Sequence, residues 1–227
     1  MRPLPLLLAA HGTRDPAGAR VVHEIAAGVR AALPGVRVEV AYADVRQPDV
    51  RTALDELGPA VVVPAFLANG YHVQVDIPEQ VGGRALVTPP FGPAAALVAA
   101  AHERLVEAGW RGEPVVLAAA GSSQWRARAD VERVAALLAG RTGTEVRVGY
   151  ATGEPRIAEV LTEGMAVASW LLAPGLFHRI ARASGAAVVA EPLGAHPRVV
   201  ALTVARYRGI IESATRLTGV EAVVGRP

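Results

Sequence analysis

Apolar positions along this chain follow two alternating patterns: short unbroken runs, and longer stretches with a helical period. "LPLLLAA" near the start is a run of the first kind, as expected of a strand buried on both faces. "PAGARVVHEIAAGVRAALPG" is of the second kind. Its Val21, Val22, Ile25, Val29 and Leu33 share one stripe, and Pro34-Gly35 ends it. "VRVEVAYAD" reads as a second strand, "PDVRTALDELG" as a short helix closed by Gly58, and "AVVVPAFLANG" as a third strand with its exit loop. "HVQVDIPEQVGG" reads as a short helix, "RALVTPPFG" as a fourth strand and "PAAALVAAAHERLVEAG" as a long helix. Repeated strand-helix units predict an α/β fold with a parallel sheet and right-handed crossovers, in the flavodoxin-like order 2-1-3-4.

The pattern then starts again. "VVLAAAGSS" echoes "LLLAAHGTR", and "VRVGYATGEPRIAEVLTEG" echoes "VEVAYADVRQPDVRTALDELG". "SWLLAPGLFHRI" echoes "AFLANGYHVQV", and "AAVVAEPLG" echoes "RALVTPPFG". This is a duplication of about half the chain, too long a period for a solenoid. A Gly/Pro-rich turn at Gly109 to Pro114 marks the junction. Two similar halves are expected, 1–112 and 113–227, each a small parallel sheet of about four strands flanked by helices.

Composition narrows the picture. The chain has 227 residues, enough for a full core. No apolar run approaches the ~20 residues of a membrane span. The apolar part of "MRPLPLLLAAHG" is too short for a signal peptide, so it is expected to be the first strand of a cytoplasmic protein. Cysteine is absent, which excludes disulfides and thiolate metal sites. All 23 basic residues are arginine and the net charge is only +2. The arginines do not cluster, and aromatics are 4%, so no nucleic-acid partner is expected.

Three polar residues fall where a doubly wound sheet binds ligands, at the carboxyl edge. His11 follows the first strand, Asp44 the second and His72 the third. In the order 2-1-3-4 these strand ends are neighbours, ~4.8 Å apart. Two imidazoles and a carboxylate suit Fe(II), Co(II), Ni(II) or Zn(II), and three ligands leave positions open for chemistry. Gly12 and Gly70 would let a flat, bulky ligand approach the backbone. The second half supplies an internal control: the counterparts of His11, Asp44 and His72 are Ala120, Thr152 and Phe177, with His178 one position along. One copy therefore carries the polar set and the other has lost it. An Asp after a strand is also a common turn or helix cap, and Asp44 keeps that second reading.

The stretches "LAAHGTRDP", "AYADVRQPDVRTALDELG" and "VVVPAFLANGYHVQVDIPEQV" together resemble the class II chelatases. Among these they are similar to the sirohydrochlorin chelatases of siroheme and cobalamin synthesis, in their long, internally duplicated form. The strand-end "HG" and the "FL..G.H...DIP" stretch are the specific parts. The resemblance implies that His11 and His72 contact the metal and accept protons. Asp44 falls where many members carry Glu, and its side chain reaches ~1.3 Å less. The implied reaction removes two pyrrole N–H protons and supplies Fe2+ or Co2+, with Ni2+ also admissible, to the same four nitrogens. Neutral imidazoles can do both near pH 7. No organic cofactor is implied, and one active site in a monomer is expected. Sirohydrochlorin carries eight carboxylates, which Arg14 or Arg46 could hold.

Other residues have plainer readings. His23 and His102 lie in long helices, His196 orders a loop, and Trp110, Trp125 and Trp170 are assigned to packing. Asp76, four residues after His72, would share its helical face and either orient that imidazole or cap a helix. A non-catalytic metal or tetrapyrrole carrier could use the same ligands. A histidine phosphatase would need an arginine just before His11, where this chain has Ala10.

Overall fold

The computed structural model describes residues 3–218. In the first repeat, β1 (Leu6–Ala10), β2 (Val38–Tyr42), β3 (Val61–Pro64) and β4 (Leu86–Val87) form a parallel sheet of order β2-β1-β3-β4. The order predicted from sequence is the order found. Leu6 is level with both Val38 and Val61, so the three strand ends are flush. The helices are α1 (Pro16–Ala32), α2 (Val50–Leu57), α3 (Ile77–Val81) and α4 (Ala95–Glu107). Asp15 caps α1 by accepting from Ala17 N–H at 3.0 Å, and Asp49 caps α2 by accepting from Thr52 N–H at 2.7 Å.

The second repeat contains β5 (Val115–Ala119), β6 (Val146–Tyr150) and β7 (Ala166–Trp170) in the order β6-β5-β7. Its helices are α5 (Trp125–Thr142), α6 (Ile157–Val160), α7 (Leu176–Arg182) and α8 (Pro197–Thr218). This sheet has three strands, where about four were expected. The fourth segment makes one parallel bridge, Val189 to Val167, and goes no further. Both fourth segments run into proline, Pro89-Pro90 in one copy and Pro192 in the other, and proline cannot donate to a ladder.

The central runs β1, β3 and β5 are apolar throughout because each face of each sheet is covered. Leu6, Leu8 and Ala10 face one way, with Val115, Leu117 and Ala119, into a single core shared by both repeats. Leu7 and Ala9 face the other way, into a small cluster with Leu54 and Ile77. Val116 and Ala118 do the same with Ile157 and Ala181. The shared core is built by exchange. Helix α4, which follows the first sheet, packs on α5 and β7, while α8, which follows the second, packs on α1 and β3. Tyr207 of α8 donates to the Leu4 carbonyl at 2.7 Å, and Arg104 of α4 donates to the Leu193 carbonyl at 3.2 Å.

The exchange turns the two carboxyl edges towards each other. A Cβ on Gly70 would lie 3.9 Å from Ala127 Cβ and 4.0 Å from Ser122 Oγ, and one on Gly18 would lie 3.9 Å from the Pro174 oxygen. These contacts are pseudo-symmetric, since Gly18 matches Ala127 and Gly70 matches Gly175. Asp15 is 3.2 Å from Arg179 across the same seam. The Ala17 N–H and the Arg179 guanidinium hold the Asp15 carboxyl below its usual range. Among the described residues no helix is long and apolar enough to cross a membrane.

Candidate functional site

His11 leaves β1 exposed, and its Nδ1 donates to the Gly12 carbonyl at 2.7 Å. A carbonyl only accepts, so Nδ1 carries a proton, and in the neutral ring Nε2 keeps its lone pair. His72 opens a π-helical turn, His72–Asp76, that runs directly into α3. The sequence predicts one short helix here, and the widened turn has a local cause. Pro78 has no N–H for the Gln74 carbonyl and its ring crowds that oxygen, so the turn opens and Ile77 N–H reaches back to the His72 carbonyl. The same turn places Asp76 Oδ2 in a hydrogen bond with His72 Nδ1. Asp76 therefore takes the orienting role, and Nε2 of His72 is also left as the free nitrogen.

The two imidazole rings stand edge to face with centroids 4.3 Å apart. Phe66, at the end of β3, lies 6.4 Å from one and 6.0 Å from the other. Two imidazoles with anchored Nδ1 atoms can, through their Nε2 lone pairs, share a divalent ion or take up protons.

Asp44 does not join them. Its carboxylate accepts from its neighbour Val45 N–H at 2.6 Å. Among the described residues no group of three His, Cys, Asp or Glu side chains is arranged to hold an ion. Of the three residues singled out in the sequence, the structure brings His11 and His72 together and turns the Asp44 carboxylate to Val45. Asp44 instead builds the loop: its N–H donates to the His11 carbonyl at 3.0 Å, and its own carbonyl accepts from Arg46 N–H at 2.8 Å. That i to i+2 bond closes a γ-turn around Val45, whose φ is +69°. Val45 is the one non-glycine residue with positive φ among those described. Its counterpart in the second repeat is Gly153, φ +94°. A β-branched residue is strained there, and such strain gathers at functional sites.

Gly12 has φ +91°, and a Cβ on it would meet the Asp44 carbonyl oxygen. The lack of a side chain there lets one loop pack on another. Gly70 sits at the seam between repeats and does not need a left-handed backbone. Arg14 is exposed, while the Nε of Arg46 is buried without a hydrogen-bond partner.

In the second repeat the equivalent edge carries Ala120, Thr152 and Phe177. Thr152 hydrogen-bonds to the Ala120 carbonyl through both its N–H and its hydroxyl. His178 is 4% exposed, 3.9 Å from Glu191. His196 pairs with Glu103 at 3.1 Å and accepts from Arg198 N–H, so it orders the loop before α8. Trp110 and Trp170 pack against the shared core, but Trp125 is 70% exposed, against the packing expected of it. Sequence reasoning also passed over Val45, though laying the two repeats side by side would have flagged a valine where the copy has glycine.

The fold and the site define a two-repeat, doubly wound α/β protein with one histidine pair at a carboxyl edge. The CbiX family model matches it twice, over residues 5–108 and 114–210, and the chain belongs to the CbiX family. It is similar to a sirohydrochlorin cobaltochelatase of Methanopyrus kandleri, 35% identical over 82 residues. That match takes in 34% of this chain and 57% of the relative, so the chain spans a little over half of that relative's length. Two solved structures share the fold nearly end to end. SirB from Bacillus subtilis with Fe3+ has a TM-score of 0.78 at 24% identity, covering 96% of this chain and 98% of that one. CbiX, described as the terminal enzyme for biosynthesis of siroheme in denitrifying bacteria, has a TM-score of 0.73 at 26% identity, covering 90% and 98%.

Proposed function

We propose that this protein is a sirohydrochlorin chelatase, inserting Fe2+ or Co2+ into the macrocycle. The observation that carries the reading is the His11–His72 pair, one at the end of β1 and the other on the π-turn that follows β3, with both Nδ1 atoms anchored and both Nε2 atoms available. Insertion replaces two pyrrole protons by one divalent ion. The imidazoles hold the ion through few bonds, so that it can be given up, and accept the protons released. Arg14 and Arg46, which follow β1 and β2, would meet substrate carboxylates. Asp44 supports the His11 loop and reaches the ion only if its bond to Val45 opens. The repeat 1–112 carries the site, the repeat 113–227 walls it, and one chain binds one tetrapyrrole as a monomer.

Imidazole sites take iron, cobalt and nickel alike, so metal choice is a matter of geometry and supply. The test is anaerobic incubation of sirohydrochlorin with the protein and each of Fe2+, Co2+ and Ni2+, followed by absorbance. Many equivalents of metallated product per chain are expected with iron or cobalt. Arrest at one equivalent would make the protein a carrier, and no acceleration with any metal would overturn the reading.

A further inference from the structure

Four large apolar side chains stand out from the two carboxyl edges. Val45 and Tyr71 follow β2 and β3 and are 46% and 53% exposed; Trp125 and Leu176 follow β5 and β7 and are 70% and 60% exposed. The repeat without the histidine pair thus contributes the two most exposed. Trp125 is the first residue of α5, whose opening turn packs beside Gly70. Asn69 N–H donates to Asp130 Oδ2 at 2.8 Å, which fixes α5 against the loop that carries His72. Arg126 completes the link. Its guanidinium lies 5.2 Å from the Trp125 ring centroid and donates at 3.2 Å to Gln74 Oε1, two residues past His72. Gln74 in turn donates to the Asn69 carbonyl at 3.0 Å.

We infer that Trp125 and Arg126 form a contact for the tetrapyrrole, supplied by the repeat that has lost the metal-handling residues. The inference rests on the chelatase reading and names substrate-holding residues for it. A tetrapyrrole has a broad apolar face and a rim of carboxylates. The indole offers the first a flat partner, and the guanidinium offers the second a fork of donors. Arg126 suits a carboxylate because its partners are the neutral Gln74 and the Trp125 ring, so it is not already neutralised by an acid. The first turn of an 18-residue helix adds its own positive end at the same spot. Both residues act in binding, not in the transfer of metal or protons.

The test uses the full chain and metal-free sirohydrochlorin, with Trp125→Ala, Trp125→Phe, Arg126→Ala and Arg126→Lys. Leu137→Ala serves as a control, an exposed apolar residue elsewhere on α5. Trp125→Ala and Arg126→Ala should each raise Kd and KM by about tenfold, with kcat within about twofold and an unchanged Tm. Trp125→Phe and Arg126→Lys should recover part of the loss, and Leu137→Ala should bind as wild type. A rise in Kd of less than about threefold in both alanine variants, or a fall in kcat at unchanged Kd, would overturn the inference. If the wild-type chain turns over while these variants bind normally, this inference fails alone. If the wild-type chain inserts no metal, the chelatase reading itself has failed.

Discussion

Gly12→Ala and Gly121→Ala are the same perturbation in two copies of one loop, and only one copy has the histidines. Gly12 is at φ +91°, and a Cβ there would sit 2.1 Å from the Asp44 carbonyl oxygen. Ordinary contact begins at 3.4 Å, so alanine must drive the loops apart by 3.4 − 2.1 = 1.3 Å. The left-handed backbone adds about 1–2 kcal/mol for any side chain. His11 precedes Gly12 and is tied to its carbonyl, so the displacement falls on the imidazole. A misplacement of about 1 Å lowers a positioned reaction by about 10²-fold. Gly121 is at φ +102°, and its Cβ would lie 1.7 Å from the Thr152 oxygen, requiring 3.4 − 1.7 = 1.7 Å. Its variant should be at least as destabilised. At about 2–4 °C per kcal/mol for a chain of this size, both should lose several degrees of Tm. Insertion of Co2+ is then measured at saturating sirohydrochlorin, below both melting temperatures. kcat should fall about 10²-fold in Gly12→Ala and less than about threefold in Gly121→Ala, by the reasoning that only the first loop aims a reacting group. Equal losses in the two variants, or wild-type kcat in Gly12→Ala, would refute that reasoning.

His11→Ala and His72→Ala should each reduce insertion about 10²-fold or more at unchanged Tm, as expected for loss of a proton acceptor; near-normal turnover by folded His72→Ala would remove that residue from the site. Asp44→Ala should leave metal affinity close to wild type, checked by titration with Co2+; a large loss of affinity would show the carboxylate swinging onto the ion. Val45→Gly relieves a strained turn worth about 1–2 kcal/mol against a glycine entropy cost of about 0.5–1 kcal/mol, so Tm should rise by a few degrees, and a fall would mean the turn carries no strain. Burial holds the His178 imidazole below its ordinary 6.5, so the unfolded chain takes up that proton first and stability falls as pH drops below about 6.5. His178→Phe should soften this fall between pH 7.5 and 5.5 and keep most of the activity. The fall should not vanish, because burial lowers His196 in the same way.

Strand order was legible because unbroken apolar runs flanked by amphipathic helices admit few arrangements. The duplication made the histidine pair legible, since a core role would have been kept in both copies. Asp44 keeps two readings in the sequence, ligand or turn residue, because side-chain direction in a γ-turn leaves no trace in the pattern of apolar positions. The π-turn at His72 could have been suspected from Pro78 alone, which cannot donate to the carbonyl four residues back. Trp125 was legible in principle. The buried stripe of α5 is Ala127, Val131, Val134, Ala135 and Leu138, and residue 125 lies off it by helical count. What covers each stripe was not legible. Leu97, Ala101 and Leu105 mark the apolar side of α4, but periodicity does not say that this side closes the other repeat's sheet.

That exchange has a consequence for how the chain is made. The first sheet is complete once Val87 has been synthesised, but the helix that roofs its inner face begins only at Pro197. At about 5–20 residues per second, the intervening stretch takes roughly 5–20 s to emerge. Throughout that interval part of the face bearing Leu6 and Leu8 has no lid, and α4 has no sheet of its own to rest on. Co-translational assembly by halves is therefore closed to the first repeat, which is born exposing a surface that only its sibling's last helix covers, whereas the second repeat emerges with α4 already made. A nascent chain stalled near the junction should be a ready client for chaperones, and fragments cut there should regain structure only when mixed.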